Sequence, residues 1–285
     1  APYYITDEVR VERENNGSQL TILKIYSGVT LQFGDDKGLI IGNDGNGNYK
    51  GALQAQGVTF TAFNTSAQWT GIRFNNYSDD AGTILDSCII EYADDGVYCA
   101  NASPSITGTT FRYNTEGIDA DSNSEPIITG NSFTGNQYPV KIYSRRIDGN
   151  LYGNTYQQNM LADSSVTDQI FVYGNEDDYR LHEDKTYDWL LDGAPYRIME
   201  HTHVWEDGDN NQIAVLKLYP GVKLLFEPGK HLYISNNDNG DAGGLLADSV
   251  TFSCVDISQT WAGIRFNEFA KDDTAYTHIT NSIIE

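Results

Sequence analysis

Apolar and polar residues alternate along four short rows, residues 85–91, 106–112, 128–134 and 151–157, which recur about every 21 to 23 residues, a period that marks a solenoid. Period-two alternation is the signature of a strand whose successive side chains point to opposite faces. Ile90, Phe111, Phe133 and Tyr156 share one column of these rows, which predicts an inward stack of large apolar groups. A second strand set lies between the rows. There Ile72 and Phe74, Val97 and Cys99, Ile118 and Ala120, and Val140 and Ile142 are expected to face in, and Arg73, Tyr98, Asp119 and Lys141 to face out. The pattern reads as two strands per turn of a coil, joined by turns rich in Gly, Asn, Asp, Ser and Pro. Equivalent residues of stacked parallel strands touch, so Glu91 is expected to pair with Arg112, and Asn131 with Asn154 in a polar ladder. No long segment repeats its apolar residues at helical spacing.

Shorter β-rich stretches precede the regular rows, at residues 1–11, 20–26, 29–33, 39–41 and 52–61. Residues 161–167 read as a longer loop, and Asn175 to Asp178 as a charged break. The chain then begins again. Ala194-Pro195-Tyr196 matches Ala1-Pro2-Tyr3, Trp261-Ala262-Gly263-Ile264-Arg265-Phe266-Asn267 matches Trp69-Thr70-Gly71-Ile72-Arg73-Phe74-Asn75, and Ile283-Ile284-Glu285 matches Ile89-Ile90-Glu91, at a steady offset near 193. Residues 1–193 are thus expected to form one complete unit, and residues 194–285 a partial second copy ending mid-rung. A β-helix cut at a rung leaves an unpaired edge that invites association. The expected partners are further copies of the same unit, end to end or in tandem in one chain.

Pro104-Ser105-Ile106-Thr107-Gly108-Thr109-Thr110-Phe111 and Pro126-Ile127-Ile128-Thr129-Gly130-Asn131-Ser132-Phe133 resemble the rows of right-handed parallel β-helix proteins of the pectate-lyase-like superfamily. The Trp69 to Asn75 and Tyr138 to Ile142 stretches resemble landmarks of a tandem unit common in bacterial and archaeal surface proteins of that class. The resemblance covers most of the chain. It implies an all-β, right-handed parallel β-helix, and it leaves function open, because this fold hosts lyases, hydrolases, adhesins and passive stalks.

Charge narrows the choice. The chain has 285 residues, 40 of them acidic and 18 basic, for a net charge of -22. Such a surface repels nucleic acid and anionic membranes, and it suits solubility, divalent cations or a saline habitat. Three cysteines, Cys88, Cys99 and Cys254, make no disulfide framework and read as buried small hydrophobes. No signal peptide or long apolar span occurs, and the chain begins without methionine, as a processed or excised piece does. Asn16, Asn64, Asn76 and Asn101 head N-x-Ser/Thr triplets, which in a surface protein are N-glycosylation acceptors.

Several stretches are candidates for chemistry. Asp44, Asn46 and Asn48 place oxygen ligands at alternate positions, as Ca²⁺ loops do; Asp207 and Asp209 repeat the arrangement, and 237–241 is a third such stretch. None has the glutamate that completes an EF-hand loop, and each also reads as a plain turn. His201 and His203 share a strand face, with Glu200 and Glu206 nearby, a zinc-type ligand set that the first copy replaces with Glu8 and Arg10. Resemblance to pectate-lyase-like enzymes, which set a basic residue beside Ca²⁺-binding aspartates, makes Arg73, Tyr98, Asp119 and Lys141 a candidate glycan groove. Asp94-Asp95-Gly96 is similar to the paired aspartates of polygalacturonase-like enzymes, although the other motifs of those enzymes do not follow it.

The expectation is a structural extracellular or cell-surface β-helix forming a rod, stalk or filament, without a catalytic site and with Ca²⁺ as its candidate cofactor. Tandem copying favours this, since duplication extends a rod. The alternative is a polysaccharide-active enzyme or glycan-binding adhesin that uses the outer groove.

Overall fold

The computed structural model describes residues 1–13, 20–45, 49–174, 180–206, 212–236 and 242–285. It divides into two compact units, Ala1–Lys141 with Gly153–Asp168, and Ile142–Tyr152 with Gln169–Glu285. The described secondary structure is strand apart from two single 3₁₀ turns, Asp80–Gly82 and Ser144–Arg146, and the ladders described below are all parallel.

In the first unit the strands stack as three sheets. One holds Tyr3–Ile5, Thr30–Phe33, Thr59–Ala62, Ile89–Glu91, Thr110–Arg112, Ser132–Thr134 and Thr155–Gln157. The second runs from Val9–Val11 through Gly38–Ile41, Trp69–Phe74, Ala93–Cys99 and Glu116–Ala120 to Tyr138–Tyr143. The third holds Thr21–Ile25, Gly51–Gln56, Ile84–Asp86, Ser105–Thr107 and Ile127–Thr129. The expected two strands per turn are therefore three. Each row that reads as one strand is two, broken by a corner residue with positive φ: Ser87 at 53°, Gly108 at 56°, Gly130 at 66° and Gly153 at 70°. Glycine takes this backbone without a Cβ clash. The inward phase slips by one residue at each bend, from Ile106 to Thr109 and Phe111 for example, a break that a single period-two row passes over. Residues 1–11 likewise form two strands, Tyr3–Ile5 and Val9–Val11.

The core follows the expected columns. Phe60, Ile90, Phe111, Phe133 and Tyr156 stand in successive register, and the rings of Phe111, Phe133 and Tyr156 stack at 5.1 Å with 11° between planes. Burying such side chains is worth about 1.5–3 kcal/mol each. Glu91 accepts from Arg112 Nε at 2.5 Å. Two buried amide ladders tie the corners. Asn131 donates to Asn154 Oδ1 from its backbone N at 2.8 Å and from Nδ2 at 3.1 Å. Asn114, Asn136 and Asn159 form the second ladder, each Nδ2 also donating to a carbonyl of the sheet, those of Ile90, Phe111 and Phe133. The first ladder was expected from sequence and the second was not. Its signal is an asparagine three residues after Phe111, Phe133 and Tyr156 alike.

The second unit repeats the plan. Ile170–Tyr173, Tyr196–Ile198, Lys223–Phe226, Thr251–Cys254 and Ile283–Ile284 form one sheet. Arg180–Leu181, Thr202–Val204, Leu232–Ile234 and Ile264–Phe266 form another, and Thr186–Trp189, Ile213–Leu218, Ala242–Asp248 and His278–Thr280 a third. A stack of Phe33 on Trp69 at 4.3 Å in the first unit recurs as Phe226 on Trp261 at 4.4 Å in the second. Cys88, Cys99 and Cys254 are buried and unpaired.

Candidate functional site

The outward face of the second sheet in the first unit carries a group of three close carboxylates. Its geometry starts from a break in alternation. Gly96 and Val97 are both buried, as are Gly117 and Ile118, and Pro139 and Val140. The register shifts between Asp95 and Val97, a β-bulge. Glycine is required here: a Cβ on Gly96 would lie 2.6 Å from the carbonyl oxygen of Gly117, and one on Gly71 would lie within 1.5 Å of that of Asp95. Two consecutive inward residues let positions three apart point out together, as bulges re-aim side chains. Glu116 and Asp119 consequently share a face with Asp95, and their carboxylate oxygens all lie within 4.8 Å of one another.

Lys141 closes this cluster. Its Nζ donates to Glu116 Oε1 and Oε2, both at 2.8 Å, and to Asp119 Oδ2 at 3.3 Å. Burial, with the charges of Asp119 and Asp94, carries the Asp95 carboxyl up to about 6. Burial also raises Asp119, outweighing the attraction of Lys141. Above this cluster, Arg73 Cζ sits 4.5 Å from the ring centre of Tyr98, and its Nε donates to Asn75 at 2.7 Å. The four groove residues named from sequence thus stand in one column by register, Arg73 beside Tyr98, then Asp119, then Lys141. Glu116 was missed, because strict alternation puts it on the wrong face. Asp94 is exposed, and only Asp95 joins the cluster.

The remaining candidates are scattered. Asp44 is exposed in a bend after Asn43, while Asn46, Asn48, Asp207, Asp209 and the 237–241 stretch lie outside the described residues. Asn16 also lies outside them. Asn64, Asn76 and Asn101 are exposed, and Asn101 Nδ2 donates to Asn76 Oδ1 at 2.7 Å. In the second unit, His201 precedes the strand Thr202–Val204 and His203 is its middle residue, and His231 packs against both. Burial and neighbouring positive charge hold His203 down to about 3 and His231 to about 4, so both imidazoles are neutral. Glu200 is taken up by Lys230, at 2.6 Å.

Residues 9–181 match the family described as periplasmic copper-binding protein (NosD). The chain belongs to this family. It is accordingly a right-handed parallel β-helix protein of the periplasm or cell exterior. No helix among the described residues is long and apolar enough to cross a membrane. No curated protein matches the chain, and no solved structure does. The NosD match takes in the whole acidic column and stops short of the histidines.

Proposed function

We propose that this NosD-family chain is structural, a segment of a stalk or filament outside the cytoplasm whose turns stack along one axis. The observation that carries the reading is the position of Lys141. Its ammonium stands among Glu116 and Asp119, where a cation or the polar group of a substrate would have to sit. Acid–base catalysis on a glycosidic bond needs two carboxyl groups with substrate between them; a scaffold needs its outward charges to cancel from rung to rung. The Glu91–Arg112, Glu227–Arg197 and Glu200–Lys230 pairs repeat that cancellation elsewhere. The amide and aromatic ladders support the same reading, since each ties a rung to its neighbours.

Copper, which the family description names, does not fit the matched stretch. Residues 9–181 contain no histidine. Their two cysteines are buried, with burial pushing both thiols up and away from the thiolate form that binds metal. Oxygen ligands such as Glu116 and Asp119 suit hard cations instead, and Lys141 already serves them. Ca²⁺ in the Asp44 loop is a separate reading, tested by melting the protein with and without EDTA.

The reading is tested by incubating the chain with neutral and acidic polysaccharides, following both cleavage and retention. Neither is expected. Cleavage or retention that disappears in Asp119→Asn, with an unchanged circular dichroism spectrum, would overturn it in favour of an enzyme or adhesin working in the outer groove.

A further inference from the structure

Two tyrosines stand one above the other at a corner of the first unit. Tyr92 follows Glu91, Tyr113 follows Arg112, and Glu91 pairs with Arg112 in register. The two rings stack with their centres 5.4 Å apart and 19° between planes. Tyr113 is 51% exposed and Tyr92 is half-buried, so a small solute reaches the pair from outside.

The backbone holds both rings in place at a cost. Each residue has a φ of 58°, in the left-handed region that bulky side chains rarely take. The backbone N of Tyr92 donates to the carbonyl of Arg112 at 3.3 Å, and that of Tyr113 to the carbonyl of Thr134 at 3.2 Å. The next rung makes room for the stack. Gly135 occupies the same corner there, and a Cβ on it would lie 2.8 Å from both Cδ1 and Cε1 of Tyr113. Glycine or asparagine would turn these two corners with less strain, so the turn itself does not call for tyrosine. Strain kept in place points to a role for the side chains that bear it.

The chemistry open to two adjacent, accessible phenols is oxidative coupling. A one-electron oxidant takes an electron from each phenol while the hydroxyl loses its proton. The unpaired electron of each phenoxyl radical is shared with the ring carbons ortho to oxygen. Two such carbons form a C–C bond, and each then passes its hydrogen to its own oxygen, restoring both phenols. The pair loses two electrons and two protons in all, and one hydrogen peroxide takes them up as two waters. Ring centres at 5.4 Å are little farther apart than in the coupled product, so side-chain rotation with a small approach completes the bond.

We infer that Tyr92 and Tyr113 form a tyrosine-coupling site, with peroxide, used through a haem peroxidase, as the class of oxidant. The bond ties adjacent rungs together outside the core. The three cysteines are buried and unpaired, so no disulfide does this. The site uses none of the acidic column and is independent of the structural role proposed above.

The test treats the whole chain, at high dilution, with hydrogen peroxide and a haem peroxidase. Dityrosine fluorescence, intact mass and a peptide map are read. The expected product is a single chain lighter by two hydrogens, in which the peptides bearing Tyr92 and Tyr113 are joined. Its melting temperature should rise, because a cross-link constrains the unfolded chain. Tyr92→Phe and Tyr113→Phe should each lose most of the fluorescence and the rise in melting temperature, while Tyr152→Phe, at an exposed tyrosine, keeps both. No joined peptide pair, links only between chains or among other tyrosines, or a signal unchanged in both variants would overturn the assignment.

Discussion

Two outward columns of this β-helix are built alike and behave differently. In the first unit the column runs Arg73, Tyr98, Asp119, Lys141; in the second it runs Arg180, His203, Tyr233, Arg265. Each sets an arginine over a tyrosine ring, at 4.5 Å and 4.9 Å. The first column is acidic and contains its own cation. The second is imidazole-rich, and its Arg265 caps the ring stack over Tyr233. Parallel stacking puts a residue of every rung within reach of its neighbours, so the backbone supplies the same positions in both units. What fills them decides whether a column is held by ion pairs or by stacked rings.

Removing the internal cation should break the contrast most strongly. Lys141→Met leaves Glu116, Asp119 and Asp95 facing one another, and an uncompensated half-buried charge cluster should cost about 2–4 kcal/mol at pH 7. Urea unfolding measures it. The loss should shrink at pH 5, where the raised carboxyls hold their protons. The converse change sharpens the contrast. Asp95 has an ordinary value of 3.8 and is carried to about 6 in the fold, so the stability it permits is full below 3.8 and lost as pH rises through 6. Asp95→Asn should therefore stabilise by about 1–2 kcal/mol at pH 7, after allowance for solvent screening, and by almost nothing at pH 4. Thermal melting across that range would show it. A variant that melts like the parent at both pH values contradicts the burial account. In the imidazole column, His203→Gln should change stability by less than about 1 kcal/mol, since the ring is half-buried and the substitution exchanges one hydrogen-bonding side chain for another. Smallest of all, Ca²⁺ or EDTA should leave the melting temperature where it is; a rise with Ca²⁺ that Asp119→Asn abolishes would show that Lys141 yields its place.

The fold was legible because its signal is repetitive. Phe111, Phe133 and Tyr156 recur about every 22 or 23 residues, and an inward column followed from them. The corners were passed over, since the inward phase slips by only one residue at Ser87 and at Gly108, and a row read as one period-two strand absorbs the slip. The same limit hid the candidate site. Asp119 and Lys141 obey period two and were placed correctly in the outward column, while Glu116 lies across the Gly117 bulge, where period two fails. The second amide ladder, Asn114 to Asn159, was available from spacing but lay outside the strands on which the pattern was read. For the histidines, His201 and His203 were two residues apart in sequence, whereas His231 joins them only through the register of the next rung. Pairing across rungs is a long-range property that no local window contains.

The central claim is that this chain is a structural β-helix. Electron microscopy of the native surface material tests it most directly. The account predicts continuous filaments or stalks whose power spectrum has a strong layer line at about 4.8 Å along the axis, the spacing of stacked strands. Dispersed single particles that bind and cleave a polysaccharide would contradict it.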